Sequence, residues 1–171
     1  ARTRHPHGKE ILRVENLYRK GVFEPISFSV YSGEVLGFSG LMGAGRTEIM
    51  RCLVGLDKPD GGDIYLEGKK LRITCVMDAV RAGIAMVSED RRREGIIPHL
   101  SVRENTTIAA LPWISRLGWI DSRQDIAITR EYIEALQIKT PSEEQMIANL
   151  SGGNQQKVCL AKWLNRHPRV I

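Results

Sequence analysis

Gly40-Leu41-Met42-Gly43-Ala44-Gly45-Arg46-Thr47 fits the glycine-rich pattern GxxxxGKS/T at every fixed position but one, with Arg46 standing where that pattern has lysine. Glycines at these places let successive backbone N–H groups turn inward around phosphate oxygens, and a helix opening at the end of the loop adds the positive end of its dipole. Thr47 supplies a hydroxyl of the kind that holds magnesium. The phosphate-binding candidates are therefore Gly40, Gly43, Ala44, Gly45, Arg46, Thr47 and the adjoining Glu48. Arginine is a wide planar fork, whereas lysine is a compact charge on a flexible stem. The loop is accordingly expected to bind nucleotide while supporting hydrolysis poorly. A glycine-rich turn between strand and helix can also be purely structural, so its flanks decide.

Just upstream, Val35-Leu36-Gly37-Phe38 is a continuous apolar run, as expected of a strand covered on both faces. Just downstream, Ile49 and Leu53, and Met50 and Val54, repeat at helical spacing over 47–54, ended by Gly55. Farther out, Leu12 and Val14 alternate with Arg13 and Glu15, and Ile26, Phe28 and Val30 alternate with Ser27 and Ser29, giving two half-buried strands. Pro59-Asp60-Gly61-Gly62 is a turn, 64–66 and 71–73 pair as a hairpin, 76–82 is a short helix stopped by Gly83, and 84–87 returns as a buried strand. Residues 1–9 are basic and lack apolar periodicity, and read as a linker in which His5 and His7 are solvated.

Beyond Val87 the texture turns helical. Ser101xxGlu104 and Asp121xxGln124 are capping-box patterns whose helices are expected to run to about residues 110 and 137, and Ser142xxGln145 precedes a shorter segment. Leu150-Ser151-Gly152-Gly153-Asn154-Gln155-Gln156-Lys157 then opens a helix over 151–165 with a hydroxyl and two glycines at its N-terminus, a second anion-binding arrangement. Taken alone, it reads equally as a capped helix with a Gly-Gly hinge. The chain is thus organised as a sheet-rich part over 10–95, a helical part over 96–150, and 151–171, a helix followed by the start of another strand at Val170-Ile171.

LSGGNQQK resembles the signature of ABC proteins. Together, GLMGAGRTE, AMVSEDRRREG and LSGGNQQKVCLAKWL are similar to the second ATP-binding domain of bacterial monosaccharide importers of the ribose, xylose, arabinose, galactose and autoinducer type. The resemblance covers residues 11–171. It implies an α/β P-loop NTPase fold of ABC type, with a parallel-sheet core, N-terminal antiparallel strands and a helical subdomain inserted between Glu89 and Ser151. It further implies a second strand motif carrying a magnesium-holding aspartate and a catalytic glutamate, followed by a histidine, all expected after Ile171. No residue present is assigned as general base, and this piece by itself is expected to hydrolyse ATP poorly or not at all, the full-length protein being the ATPase.

In that family two ABC domains pair head to tail, so each ATP lies between one phosphate loop and the other domain's signature. The resemblance therefore implies that Ser151, Gly152, Gly153, Asn154 and Gln155 face ATP held by a partner domain. The implied cofactors are ATP and Mg2+, the latter on Thr47 and Glu89. Glu89 stands where the family usually has a glutamine; the alternative is a surface acidic turn. Tyr18, or else Phe23, would stack on adenine. The implied partners are a second ABC domain in the same chain or a homologous copy, transmembrane permease subunits and, through them, a periplasmic or extracellular sugar-binding protein. The implied location is the cytoplasmic face of the inner or plasma membrane.

Composition sets looser bounds. A chain of 171 residues with 42% apolar residues can form one domain or most of one. The net charge of +5 is modest and spread out, without aromatic-basic interleaving or a long basic stripe, so no nucleic-acid partner is expected. An ABC ATPase of DNA repair or translation is the competing reading, and a non-hydrolysing nucleotide-binding module is another. Cys52, Cys75 and Cys159 lack CxxC spacing, which argues against a disulfide framework or zinc site and fits a reducing compartment. Arg91-Arg92-Arg93 reads as a solvated loop, and Trp113 and Trp119 as packing within the helical part.

Overall fold

The computed structural model describes residues 8–41, 43–116 and 118–171, so most of the N-terminal linker, including His5 and His7, lies outside the described residues, as do Met42 and Leu117. The chain divides into two compact units. One holds the residues up to Ala85 together with Val170, the other the residues from Met86 to Arg169 with Ile171.

The first unit is built on an antiparallel sheet of β1 (Glu10–Arg19), β2 (Phe23–Tyr31), β3 (Gly61–Leu66) and β4 (Lys69–Leu71) in the order β2-β1-β3-β4. Central β1 pairs Leu12 with Val30 and Leu66, and Val14 with Phe28 and Ile64. Leu12, Val14, Ile64 and Leu66 are buried, as the period-2 pattern requires. The alternation then slips. Leu17, three residues after Val14, is fully buried because the ladder is irregular between them, and Asn16 takes a positive φ of 47°. Gly62 accommodates this irregularity: at φ 98° a Cβ there would lie 2.4 Å from the Leu17 Cα. Helix α1 (Arg46–Leu53) turns Ile49, Cys52 and Leu53 inward, and α2 (Val76–Ala82) ends at Gly83 in the left-handed region. Asp57 fastens the chain after α1, accepting from Arg51 Nε and one Arg51 Nη at 3.1 Å and from Arg19 at 2.8 Å.

Two strand expectations are corrected. Residues 35–38 form no strand: Val35 is 95% exposed, and Phe38 meets the Phe28 ring edge-on at 5.0 Å. Residues 84–87 contribute a single parallel bridge, Ile84 to Val170, in which Ala85 N–H donates to the Val170 carbonyl at 2.9 Å. An apolar run becomes a strand only where a neighbouring backbone offers its row of N–H and C=O groups. Among the described residues the parallel sheet is represented by that one bridge.

The second unit gathers Ile96, Val102, Ile138, Ile147, Leu150, Val158 and Cys159 into one core, with Val87, Ile133 and Leu136 packed on it. Its principal helices are α3 (Val102–Thr107), the single turn α4 (Leu111–Ile114), α5 (Ser122–Ala135) and α6 (Gly152–Leu164); a two-residue hairpin, β5 (Ser115–Arg116) with β6 (Trp119–Ile120), precedes α5. The caps fall where the sequence places them: Glu104 N–H donates to Ser101 Oγ while Ser101 N–H donates to Glu104, and Asp121 accepts from Arg123 and Gln124 N–H. Arg103 pairs with Asp125, which is 2% exposed, and with Glu144 at 2.6 Å. Trp119 is not packed as expected but 81% exposed, whereas Trp113 lies under the Arg166 guanidinium. No helix among the described residues is long and apolar enough to cross a membrane.

Candidate functional site

The phosphate loop lies in the first unit, as a turn leading into α1. Gly43 and Gly45 have φ of 82° and 76°, a region glycine enters without strain. Gly45 is also sterically confined, since a Cβ there would lie 2.8 Å from that of Phe23. Gly45 N-caps α1 without any side-chain cap, so the first N–H groups of the helix are not closed off by a neighbouring side chain. Arg46 and Thr47 are exposed at this helix start. Of the two aromatic candidates, Phe23 borders the loop through Gly45, whereas the Tyr18 ring lies across Gly61 of β3. A row of positive-φ glycines, an uncapped helix start and an exposed hydroxyl fit the triphosphate of ATP, and the Thr47 hydroxyl is a hard oxygen donor suited to magnesium.

The second unit carries Glu89 and the signature segment. Glu89 is exposed, and its carbonyl accepts from Arg91 N–H at 3.1 Å. Residues Arg91–Gly95 then form a single wide helical turn, with Asp90 accepting from Arg93 N–H and Ser88 Oγ donating to Glu94 at 2.6 Å. Arg92 and Arg93 are solvated, as the sequence suggests, but Arg91 is not. Its Nε donates to Gln155 Oε1 at 3.4 Å, and its Nη2 would lie 2.6 Å from a Cβ at Gly152. Gly95 packs against Cys159, and its carbonyl accepts from the half-buried Lys162 ammonium at 2.7 Å. Burial pushes the Lys162 pKa down and that of the Cys159 thiol up. Residues 91–95 are thus fixed along α6 within the second unit.

Within the signature, Ser151 and Gly153 are exposed, and Gly152 and Asn154 are half-buried. Ser151 makes no side-chain cap to its own helix. Among the described residues, apart from its chain neighbours and the nearby backbone of its own helix, Gly153 has no atom within 4 Å of where a Cβ would stand, and its φ lies outside the left-handed region. Gln155 is turned inward: it is 8% exposed, and its Nε2 donates to the Ile147 carbonyl at 3.2 Å.

The ABC transporter family matches residues 23–171. The chain belongs to that family. It is 49% identical over 164 residues to a ribose import ATP-binding protein of Oceanobacillus iheyensis, covering 96% of this chain and 33% of that protein. A ribose import ATP-binding protein of Caldanaerobacter subterraneus subsp. tengcongensis is likewise 49% identical, over 165 residues, with the same coverages. The chain therefore spans about a third of the length of these curated relatives. Among solved structures, a nucleotide-free ATP-binding cassette from an ABC transporter superposes with a TM-score of 0.78 at 22% identity, covering 94% of this chain and 67% of that one. An ADP-bound ATP-binding cassette of an ABC transporter gives 0.74 at 21%, with the same coverages. The fold is that of an ABC-type P-loop NTPase, mixed α/β with antiparallel N-terminal strands.

Within this ABC cassette, sequence reasoning found both glycine-rich helix starts but not the guanidinium beside the second. Nothing in the run Arg91-Arg92-Arg93 distinguishes its first member; only the packing of residues 91–95 on α6 does.

Proposed function

We propose that this ABC cassette is one of two that drive uptake of a monosaccharide, and that its signature completes the ATP site whose phosphate loop belongs to the partner cassette. The observation that carries this reading is Gly153. Among the described residues no steric or backbone requirement explains a glycine there, so the open space suits a group arriving from outside. Ser151 and Gly152 flank that space, and the uncapped N-terminus of α6 favours an anion. Asn154 and Gln155 support the segment through internal hydrogen bonds. The ribose importers among the relatives support the substrate class. The partners on this reading are a second ABC cassette, transmembrane permease subunits at the cytoplasmic face of the membrane, and a sugar-binding protein reached through the permease.

The cassette's own loop would hold ATP through the backbone at 40–47, with Thr47 offered to magnesium, Phe23 or Tyr18 beside the base, and Glu89 in the position of the family's glutamine. Arg46 and Glu89 favour weak hydrolysis at that loop, which makes the signature the cassette's more direct contribution to catalysis. Arg46→Lys in the full-length protein is expected to raise turnover at this site; no gain would count against the assignment.

Gly153→Asp is the sharper test, because nothing among the described residues opposes a side chain there. Uptake by the assembled transporter is expected to fall by about tenfold or more, since a carboxylate would face the partner's phosphates, while the unfolding midpoint stays unchanged. Near-normal uptake would defeat the reading. Gly152→Asp is expected to fail as well, but its side chain would also displace Arg91.

A further inference from the structure

Asn154 is held at both ends of its side-chain amide. Lys139 N–H approaches one terminal atom at 3.0 Å, and Ser151 Oγ lies 3.0 Å from the other. A backbone N–H can only donate, so the atom facing Lys139 is the carbonyl oxygen and the atom facing Ser151 is the NH2 group. Ser151 Oγ therefore accepts a hydrogen bond from the Asn154 NH2 group, and its own O–H is left to donate elsewhere. An N-cap serine ordinarily accepts from its own helix, but this one makes no such cap. Among the described residues no acceptor takes its hydroxyl proton, and Ser151 is exposed.

The backbone around this pair is fixed from several sides. Lys157 Nζ donates to the Gln137 carbonyl at 2.8 Å, tying α6 to the stretch that carries Lys139. Gln155 and Arg91 hold the next position from the other side. Asn154 is thus tied to the exposed backbone at Lys139, the residue after the buried core residue Ile138, and that tie holds its amide in one orientation beside the Ser151 hydroxyl.

We propose that Asn154 is a positioning residue that sets the Ser151 hydroxyl as an outward hydrogen-bond donor to the terminal phosphate of ATP held by the partner cassette. The proposal rests on the reading of the signature given above. Its chemistry depends on the polarity of the amide rather than its bulk. In Asn154→Asp, one carboxylate oxygen still accepts from Lys139 N–H, but the other faces Ser151 as an acceptor and draws the hydroxyl proton inward. Ser151 would then present lone pairs to a phosphate instead of a proton. Asn154→Ala leaves the hydroxyl free to rotate, so its effect should be smaller.

The test is a double-mutant cycle on ATP turnover by the full-length protein assembled with its permease, using Asn154→Asp, Ser151→Ala and the pair. Asn154→Asp alone is expected to lower kcat about tenfold or more, with the KM for ATP changed less than about twofold because the partner's phosphate loop holds the nucleotide. In the Ser151→Ala background the same substitution should have little further effect. Equal losses in both backgrounds would show that the added charge acts by repulsion alone and would overturn the proposal, as would full activity of Asn154→Asp. If Ser151→Ala and Gly153→Asp both leave turnover and uptake intact, the signature reading itself fails. If they lower turnover and uptake to a measurable residue while Asn154→Asp costs as much in the Ser151→Ala background as in the natural protein, only the role of Asn154 fails. Unfolding midpoints of each variant separate loss of fold from loss of function.

Discussion

The two units each present a glycine-rich helix start, but glycine is required for different reasons in each. At the phosphate loop the requirement is internal: Gly43 and Gly45 have positive φ, and Gly45 is pressed against Phe23. At the signature, Gly152 makes room for the Arg91 guanidinium, whereas Gly153 makes room for nothing among the described residues. The first pair shapes the cassette's own loop. The second leaves a surface open to something else. The same residue type in two similar motifs thus records a backbone constraint in one place and open space, the space the proposed partner cassette would fill, in the other.

The two units also differ in what holds them together, and this sets the largest effect expected. In the helical unit Asp125 is 2% exposed, its Oδ1 has no hydrogen-bond partner among the described residues, and Arg103 pairs with its other oxygen. Hydrogen bonding to Glu144, with Asp125 also contributing, holds the Arg103 pKa above its ordinary value. Arg103→Ala is expected to destabilise this unit by about 3–5 kcal/mol in chemical denaturation, because it leaves a buried carboxylate unpaired. A loss below 1 kcal/mol in that experiment would mean that water reaches Asp125.

Next in size is Gly45→Ala in the first unit. Its left-handed φ and the contact with Phe23 are expected to lower stability by about 1–3 kcal/mol and shift the unfolding midpoint accordingly. Smaller again is the ion pair behind α1. Hydrogen bonding from Arg51, with help from Arg19, holds the Asp57 carboxyl below its ordinary value of 3.8. A depressed folded pKa means that the stabilisation is complete above the unfolded value and is lost as pH falls through the folded one. Asp57→Asn should therefore be less stable at neutral pH by about 1 kcal/mol or less. The gap to the natural protein should close as pH is lowered below 3.8, so a pH-independent gap would assign the effect to packing. The smallest effect expected is from Gly153→Ala, whose melting should match the natural protein within about 0.5 kcal/mol. That result, set beside Gly45→Ala, is the direct measure of the difference between the two helix starts.

The sequence by itself determined what local chemistry can encode. Alternation marked β1 and β2, side-chain oxygens followed three residues later by Glu104 and Gln124 marked the starts of α3 and α5, and glycines marked the starts of α1 and α6. These signals act over a few residues, so they survive without knowledge of neighbours. Only tertiary structure decided the rest. Whether 35–38 became a strand depended on a neighbouring backbone that its own residues do not specify. Leu17 is buried despite the break in alternation because Asn16 and Gly62 accommodate an irregular ladder across two strands. Arg91 stands apart from its two neighbours because residues 91–95 pack on α6, and the Ser151 hydroxyl has a defined direction because Lys139, distant in sequence, fixes the amide of Asn154. Each of these is a contact between segments far apart along the chain, formed when the fold closes, and local spacing carries no record of it.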